Sequence, residues 1–260
     1  MDRKKLKIGA YFIPKEVCMA HNPVCILIDA VRASCTIATF FDKKAESVIL
    51  IEDEYSYFKN HPEAVKNPYC LSAEKKDGSR AELAEVSPSL IELETKPSYA
   101  GKHVLFRTTN GTVGVRTLSE LGAEDILIGS MLNCDAVAKT AVDLAVKKNT
   151  EVCTVCAGRE DGRIYCIDDT YCSGVLISRM RAYAETIGLE LELQDAAKIA
   201  CGMQKLYKNA EEAYRCSGTG EIMRRLCQEE DLVLCARYNV TNVVPYMDRV
   251  NEDGSIALCI

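Results

Sequence analysis

The chain has 260 residues, 48% of them apolar and 27% charged, enough to bury a core without staples and too ordinary for a disordered chain, a collagen or a coiled coil. Thirty-two Lys and Arg against 38 Asp and Glu leave a formal charge of −6 with no basic block, so nucleic acid is not an expected partner. No apolar run approaches the roughly 20 residues that span a bilayer, and the charged start at Asp2, Arg3, Lys4 and Lys5 lacks an apolar leader core; no membrane partner and a cytoplasmic location are expected.

In chain order, apolar runs predict strands at 6–13 and 24–28, then a helix at 34–42 and a strand at 47–51. A short strand-like run at 69–71 leads into a polar stretch, 72–87, of the length that usually marks a functional or disordered loop. A strand at 103–107 precedes a helix at 112–121, and a strand at 125–128 precedes a helix at 134–147 that Asn133 is placed to N-cap. The strand at 152–156 is followed by helices at 168–187, 195–209 and 220–228, and strands at 243–246 and 256–259 end the chain. This alternation predicts an α/β fold with a mixed, partly parallel sheet and flanking helices. No linker or repeat divides residues 1–260, which are read as one domain. A C-terminal strand on a sheet edge would need cover, which makes a homodimer an expected partner state.

Fourteen Cys without an export leader read as reduced thiols filling a core, as at Cys25, Cys235 and Cys259 inside apolar runs. Cys153 and Cys156 stand three apart on a predicted strand, so their sulfurs point to opposite faces rather than at one metal. Cys153 and Arg159 also match the C-x₅-R spacing of cysteine phosphatases, a pattern expected by chance in a chain so rich in both residues.

Ligands of open α/β sheets bind beyond the carboxyl ends of the strands, where helix amides are free. After strand 24–28 come Asp29, Arg32, Ser34 and Thr36: an acid, an arginine suited to a bidentate anion contact, and two hydroxyls. The plainer reading is helix capping with a solvated Arg32. After strand 103–107 come Thr108, Thr109, Asn110, Gly111 and Thr112, a turn whose amides can converge on an anion, or an ordinary Asn-Gly turn with a Thr cap. After strand 152–156 come Arg159 and then Asp168 and Asp169 at a helix start, with Gly174 further on; these acids could ligate a metal or simply offset the helix dipole. Glu74 on the polar loop is a fourth acid, by composition alone an exposed one. Gly218-Thr219-Gly220 before a helix is a weak phosphate-loop signal.

A phosphate monoester is repelled by bare carboxylates, so acids beside arginines imply a bridging cation, and Mg²⁺ fits best because it shares carboxylate oxygens with substrate phosphate. His21, His61 and His103 lie in none of these turns.

The segments 28–37, Glu74 with Ser87-Pro88, 108–112, 156–159, 167–169 with Ser173-Gly174, and 230–232 to 244–245 resemble, in family order, those of the 2-phosphosulfolactate phosphatase family. The resemblance implies that family's α/β fold, Mg²⁺-dependent phosphatase activity, and a small phosphorylated 2-hydroxy acid bearing a second anion as substrate. In methanogens the family reaction serves coenzyme M biosynthesis. Asp29, Arg32, Thr108, Asn110, Gly111, Arg159 and Asp169 match its motifs. The family's Gly-Glu is here Ala73-Glu74, its Gly-Asn-Ser-Pro is Glu85-Val86-Ser87-Pro88, and its Glu-Asp is Asp168-Asp169.

The expected assignment follows. Asp29, Asp169, Arg32 and Arg159 carry catalysis. Asp29, Glu74, Asp168 and Asp169 supply metal ligands. Ser34, Thr36, Ser87, Thr108, Thr109, Asn110, Gly111 and Thr112 bind substrate. A non-catalytic binder of a small phosphorylated acid is the alternative, suggested by the altered loop around Glu74.

Overall fold

Short runs of aliphatic residues buried on both faces, such as those at 24–28 and 152–156, make the central strands. The computed structural model describes residues 5–66 and 68–260. Its elements are β1 (Lys5–Tyr11), β2 (Val24–Ile28), α1 (Ala33–Asp42), β3 (Ser47–Leu50), α2 (Glu54–Asn60), β4 (Tyr69–Ala73), α3 (Leu90–Glu94), β5 (His103–Arg107), α4 (Gly111–Glu120), β6 (Ile126–Ile128) and α5 (Cys134–Lys148). There follow β7 (Val152–Cys156), α6 (Ile167–Thr186), β8 (Glu190–Leu193), α7 (Asp195–Gly202), α8 (Ala210–Arg215), α9 (Gly218–Arg225), α10 (Glu230–Cys235), β9 (Tyr246–Val250) and β10 (Ile256–Cys259).

The strands form one 10-stranded sheet in the order β4-β5-β3-β10-β9-β6-β2-β7-β1-β8. Pairing is parallel except around β9 and β10, whose antiparallel ladders join two parallel groups. Sheet twist of roughly 20–25° per strand, accumulated across that junction, lets the end of β5 meet the end of β2: Gly111 packs against Ala33 and Asp29. One core layer lies between the two groups under α1 and α4, with Phe40, Phe41, Phe106 and Leu118 buried in it. A second lies under α5, α6 and α7, where Gly174 admits the backbone of Ala200 so closely that a Cβ would come within 2.1 Å of its carbonyl oxygen.

Several expectations need correction. The strand expected at 243–246 begins at Tyr246, because Pro245 has no N–H to give a ladder and instead offers its carbonyl to the Ile128 amide. The C-terminal β10 lies inside the sheet between β3 and β9, so it is not an edge in need of a partner copy. The helix expected over 195–209 stops at Gly202, and Asn209 caps α8 instead through the Glu212 amide. Asn133 does not cap α5. Its oxygen accepts from the amide and hydroxyl of Ser130, and its Nδ2 donates to the carbonyls of Ile128 and Val243, tying β6 to the last crossover.

Nine of the fourteen cysteines are buried. Cys153 faces Cys25 on the neighbouring strand, Sγ to Sγ 3.5 Å, and that thiol neighbour and burial hold the Cys153 thiol well above its ordinary value. A nucleophilic cysteine needs the opposite shift and access to solvent, which removes the cysteine-phosphatase reading. No described helix is long and apolar enough to cross a membrane.

Candidate active site

The carboxyl ends of β2, β4, β5 and β7 surround a cavity of about 450 Å³ whose walls include Asp29, Arg32, Glu74, Thr108, Thr109, Asn110 and Arg159. Seven residues picked from strand ends and loop thus meet in one place. The wall also holds Lys76, Gly78, Arg163, Thr219 and Arg225, which the sequence did not single out except through the weak signal at 218–220.

Asp29 leaves β2 and is buried. Its Oδ1 accepts from the Ala33 amide at 3.2 Å, and its own amide donates to Ser34 Oγ. Burial, then the nearby Glu74 and Asp168 carboxylates, push its carboxyl up to about 7. Gly111 makes this packing possible: a Cβ there would stand 2.6 Å from Ala33 Cβ and 2.9 Å from Asp29 Oδ2. Ser34 therefore braces the start of α1. Thr36 Oγ1 is wholly buried and donates to the carbonyls of Arg32 and Pro88, while Ser87 Oγ donates to Glu92. Ser34, Thr36 and Ser87 do not line the cavity; the first two hydroxyls fix the backbone around it, and the third is taken by the Glu92 side chain.

Arg32 differs most from its expected role. It is neither solvated nor open to an anion. Nη1 donates to Gln228 Oε1 at 2.6 Å and to Asp231 Oδ2 at 3.0 Å, and Nη2 donates to Glu74 Oε2 at 3.3 Å and to the Gly78 carbonyl at 3.0 Å. Burial opposes the guanidinium charge, but Glu74 and Asp231 more than offset it and hold Arg32 above its ordinary value. Glu74, in turn, is buried rather than exposed, and its Oε1 accepts from both the amide and the hydroxyl of Thr109 at 3.0 Å. Its two oxygens are thus already engaged, and the polar loop is an ordered wall. Asp231 also accepts from Ser89 Oγ and the Ile91 amide.

The 108–112 turn closes on itself. The Thr108 amide donates to Thr112 Oγ1 at 3.0 Å and the Thr112 amide to Thr108 Oγ1 at 3.2 Å, a reciprocal box at the start of α4 resembling a capping box. Asn110 projects from this turn with a buried Oδ1 that has no partner.

At the start of α6 the two adjacent acids divide. Asp169 accepts from the Ala30 amide at 2.8 Å through Oδ1 and from the Gly158 amide at 3.0 Å through Oδ2, clasping the ends of β2 and β7 together. Burial and the neighbouring Asp168 and Asp29 nevertheless raise its carboxyl well above the usual range. Asp168 is 1% exposed with an unpartnered Oδ1. Burial lifts its carboxyl to about 6, against the pull of the Thr219 hydroxyl, its own amide and Arg159.

Arg159 is the counterpart of Arg32. It forms no ion pair among the described residues, its Nε is buried without a partner, and its side chain reaches the cavity wall. Of the seven unpartnered buried polar side-chain atoms among the described residues, two are on Asn110 and Arg159, which line the cavity, and a third is on Asp168, whose carboxyl lies beside Arg159 and the cavity-lining Thr219. Native interiors leave few such atoms, and those left usually meet an ion, a water or a ligand.

No group of three or more described His, Cys, Asp or Glu side chains is spaced to hold a metal ion alone. The donors do suit a cation that takes one or two carboxylates and fills its remaining positions with phosphate and water, as Mg²⁺ does. The unpartnered Asp168 Oδ1 and the crowded Asp29 carboxyl are the atoms such a cation would satisfy.

A sheet that gathers buried carboxylates, an unpaired arginine and a hydroxyl-rich turn at its strand ends defines an α/β protein with a site for a small anionic ligand. The chain belongs to the 2-phosphosulfolactate phosphatase family, whose model, described as 2-phosphosulpholactate phosphatase, matches residues 11–249. It is similar to a protein of Clostridium beijerinckii named probable 2-phosphosulfolactate phosphatase, 30% identical over 91% of this chain and 92% of the relative. Proteins of the same name from Deinococcus radiodurans (28% identical over 87% of this chain and 88% of the relative) and Thermus thermophilus (29% identical over 90% and 92%) are also similar. The fold and family together make this a phosphatase-family protein.

Proposed function

We propose that the chain is a Mg²⁺-dependent phosphatase that hydrolyses the phosphate monoester of a small 2-hydroxy acid such as 2-phosphosulfolactate. The observation that carries this reading is the pair of unpartnered atoms of Asn110 and Arg159 on the cavity that Asp29 lines, with the unpartnered Asp168 oxygen on a carboxyl beside the wall residue Thr219. Asp29 and Asp168 would hold the cation, which supplies the charge that lets a phosphate dianion sit among carboxylates and neutralises its oxygens as the ester bond breaks.

The residues of the chain do the rest. The 108–112 turn faces the phosphate and Arg159 reaches the same cavity, while Asp169 fixes the spacing of the β2 and β7 ends from which Asp29 and Arg159 depart. Arg32 and Glu74 hold the turn in place through Thr109. Uncatalysed monoester hydrolysis is among the slowest of biological reactions, so fixed charge aimed at the transferring phosphoryl group is the largest contribution such a site can make. The folded loop around Glu74, with both carboxylate oxygens engaged at the site, favours an enzyme over a bare binder.

The test is release of inorganic phosphate from a panel of small phosphorylated acids in Mg²⁺ by wild type and Asp29→Asn. Turnover by the wild type and its loss in the variant are expected. Tight binding of a panel member without phosphate release would support the non-catalytic binder instead.

A further inference from the structure

Of the four arginines that line the cavity, Arg32, Arg159, Arg163 and Arg225, it is Arg159 that carries a buried Nε without a partner among the described residues. Arg32 is saturated by Glu74, Asp231, Gln228 and Gly78. Arg159 has no side-chain partner among the described residues, yet its guanidinium has a defined place. It lies against Gly218, where a Cβ would stand 2.6 Å from Cζ, 2.6 Å from Nη1 and 2.7 Å from Nη2. Those are the three nearest atoms to that position, and all belong to Arg159. A planar guanidinium can rest on bare backbone only where no side chain intervenes. Gly218 also opens α9 beside Thr219, which lines the same cavity, and Arg225 on that helix and Lys76 add positive charge to its lining. Asp29 and the 108–112 turn line the same cavity, and about 450 Å³ is more room than a phosphate alone needs.

We infer that Gly218 is a specificity-determining position, seating Arg159 so that its guanidinium takes a second anionic group at the end of the substrate remote from the phosphate. The inference rests on the phosphatase reading above and adds to it which residue chooses among phosphate esters. Gly218 is a positioning residue: it touches no substrate and acts through Arg159. An added methyl would push only a flexible side chain, and alanine is a better helix former than glycine, so Gly218→Ala separates the seat of Arg159 from the fold.

The experiment compares phosphoglycolate, whose remote group is a carboxylate, with ethyl phosphate, which has none. For phosphoglycolate, Gly218→Ala is expected to raise KM about tenfold or more, the size of one charge-assisted hydrogen bond, with kcat little changed. For ethyl phosphate the KM ratio stays near one, and the melting temperature stays level or rises. In an Arg159→Met background, Gly218→Ala has no further effect, as a residue acting through Arg159 requires. Equal change for both esters, no change for either, or a full effect in the Arg159→Met background would overturn the inference. Calorimetric Kd values for the two esters give the same ratio without turnover. Absence of phosphate release from either ester by the wild type would therefore count against the phosphatase reading alone, while the Kd ratio still decides the role of Gly218.

Discussion

Glu74 and Arg32 meet at 3.3 Å with side chains 11% and 2% exposed, and Asp231 faces the same guanidinium from the other side at 3.0 Å. Removing one partner from a buried ion pair strands the other and costs about 3–5 kcal/mol. Arg32→Met leaves two buried acids unpaired and is expected to lower the melting temperature sharply, with Asp231→Asn milder. Thermal denaturation checks this. An Arg32→Met protein as stable as wild type, altered only in KM, would return Arg32 to the role of phosphate clamp.

Gly111 is held between Ala33 and Asp29 with no room for a Cβ. Gly111→Ala must shift either the α4 start or the Asp29 carboxylate, and small misplacements at a reacting centre cost about a hundredfold in rate. Activity should fall by about that factor, with a smaller loss of stability, as read from kcat/KM alongside thermal melts. Near-wild-type kcat/KM would show that the contact of the turn with Asp29 does not set the site.

The acids carry a pH signature. The Asp29 and Asp168 carboxyls are pushed up from the ordinary aspartate range to about 7 and about 6, chiefly through burial. The folded state therefore binds protons more tightly than the unfolded chain. Their contribution to stability is full below about pH 4 and is lost as pH rises through 6 to 7. Metal-free protein is expected to melt lower at about pH 8 than at about pH 5. Because ligating carboxylates must be deprotonated, added Mg²⁺ should raise the melting temperature more at about pH 8. A metal-free protein that gains stability over that range would contradict these shifts.

Strands β2, β5 and β7 were legible to the residue, because aliphatic runs buried on both faces and bounded by polar turns leave little choice of limits. Short helices such as α3, α8 and α10 were not, since pieces of five or six residues take their stability from packing rather than from their own pattern. At the site, strand-end logic brought Asp29, the 108–112 turn and Arg159 to one cavity. It could not assign their work. The job of Arg32 depends on Gln228 and Asp231, about 200 residues away, and on a Glu74 that composition alone would leave in solvent. Ser34, Thr36 and Ser87 look like ligand hydroxyls in sequence, and only their partners show the first two to be spent on the backbone and the third on the Glu92 carboxylate. Gly218 was visible as part of Gly-Thr-Gly, but its closeness to Arg159 is a property of the folded chain.

The most direct measurement is phosphate release from a small phosphorylated 2-hydroxy acid by protein stripped with EDTA and then titrated with Mg²⁺. No turnover is expected in the stripped protein, with saturable recovery as Mg²⁺ is restored. Turnover that persists undiminished in EDTA would contradict the Mg²⁺-dependent reading.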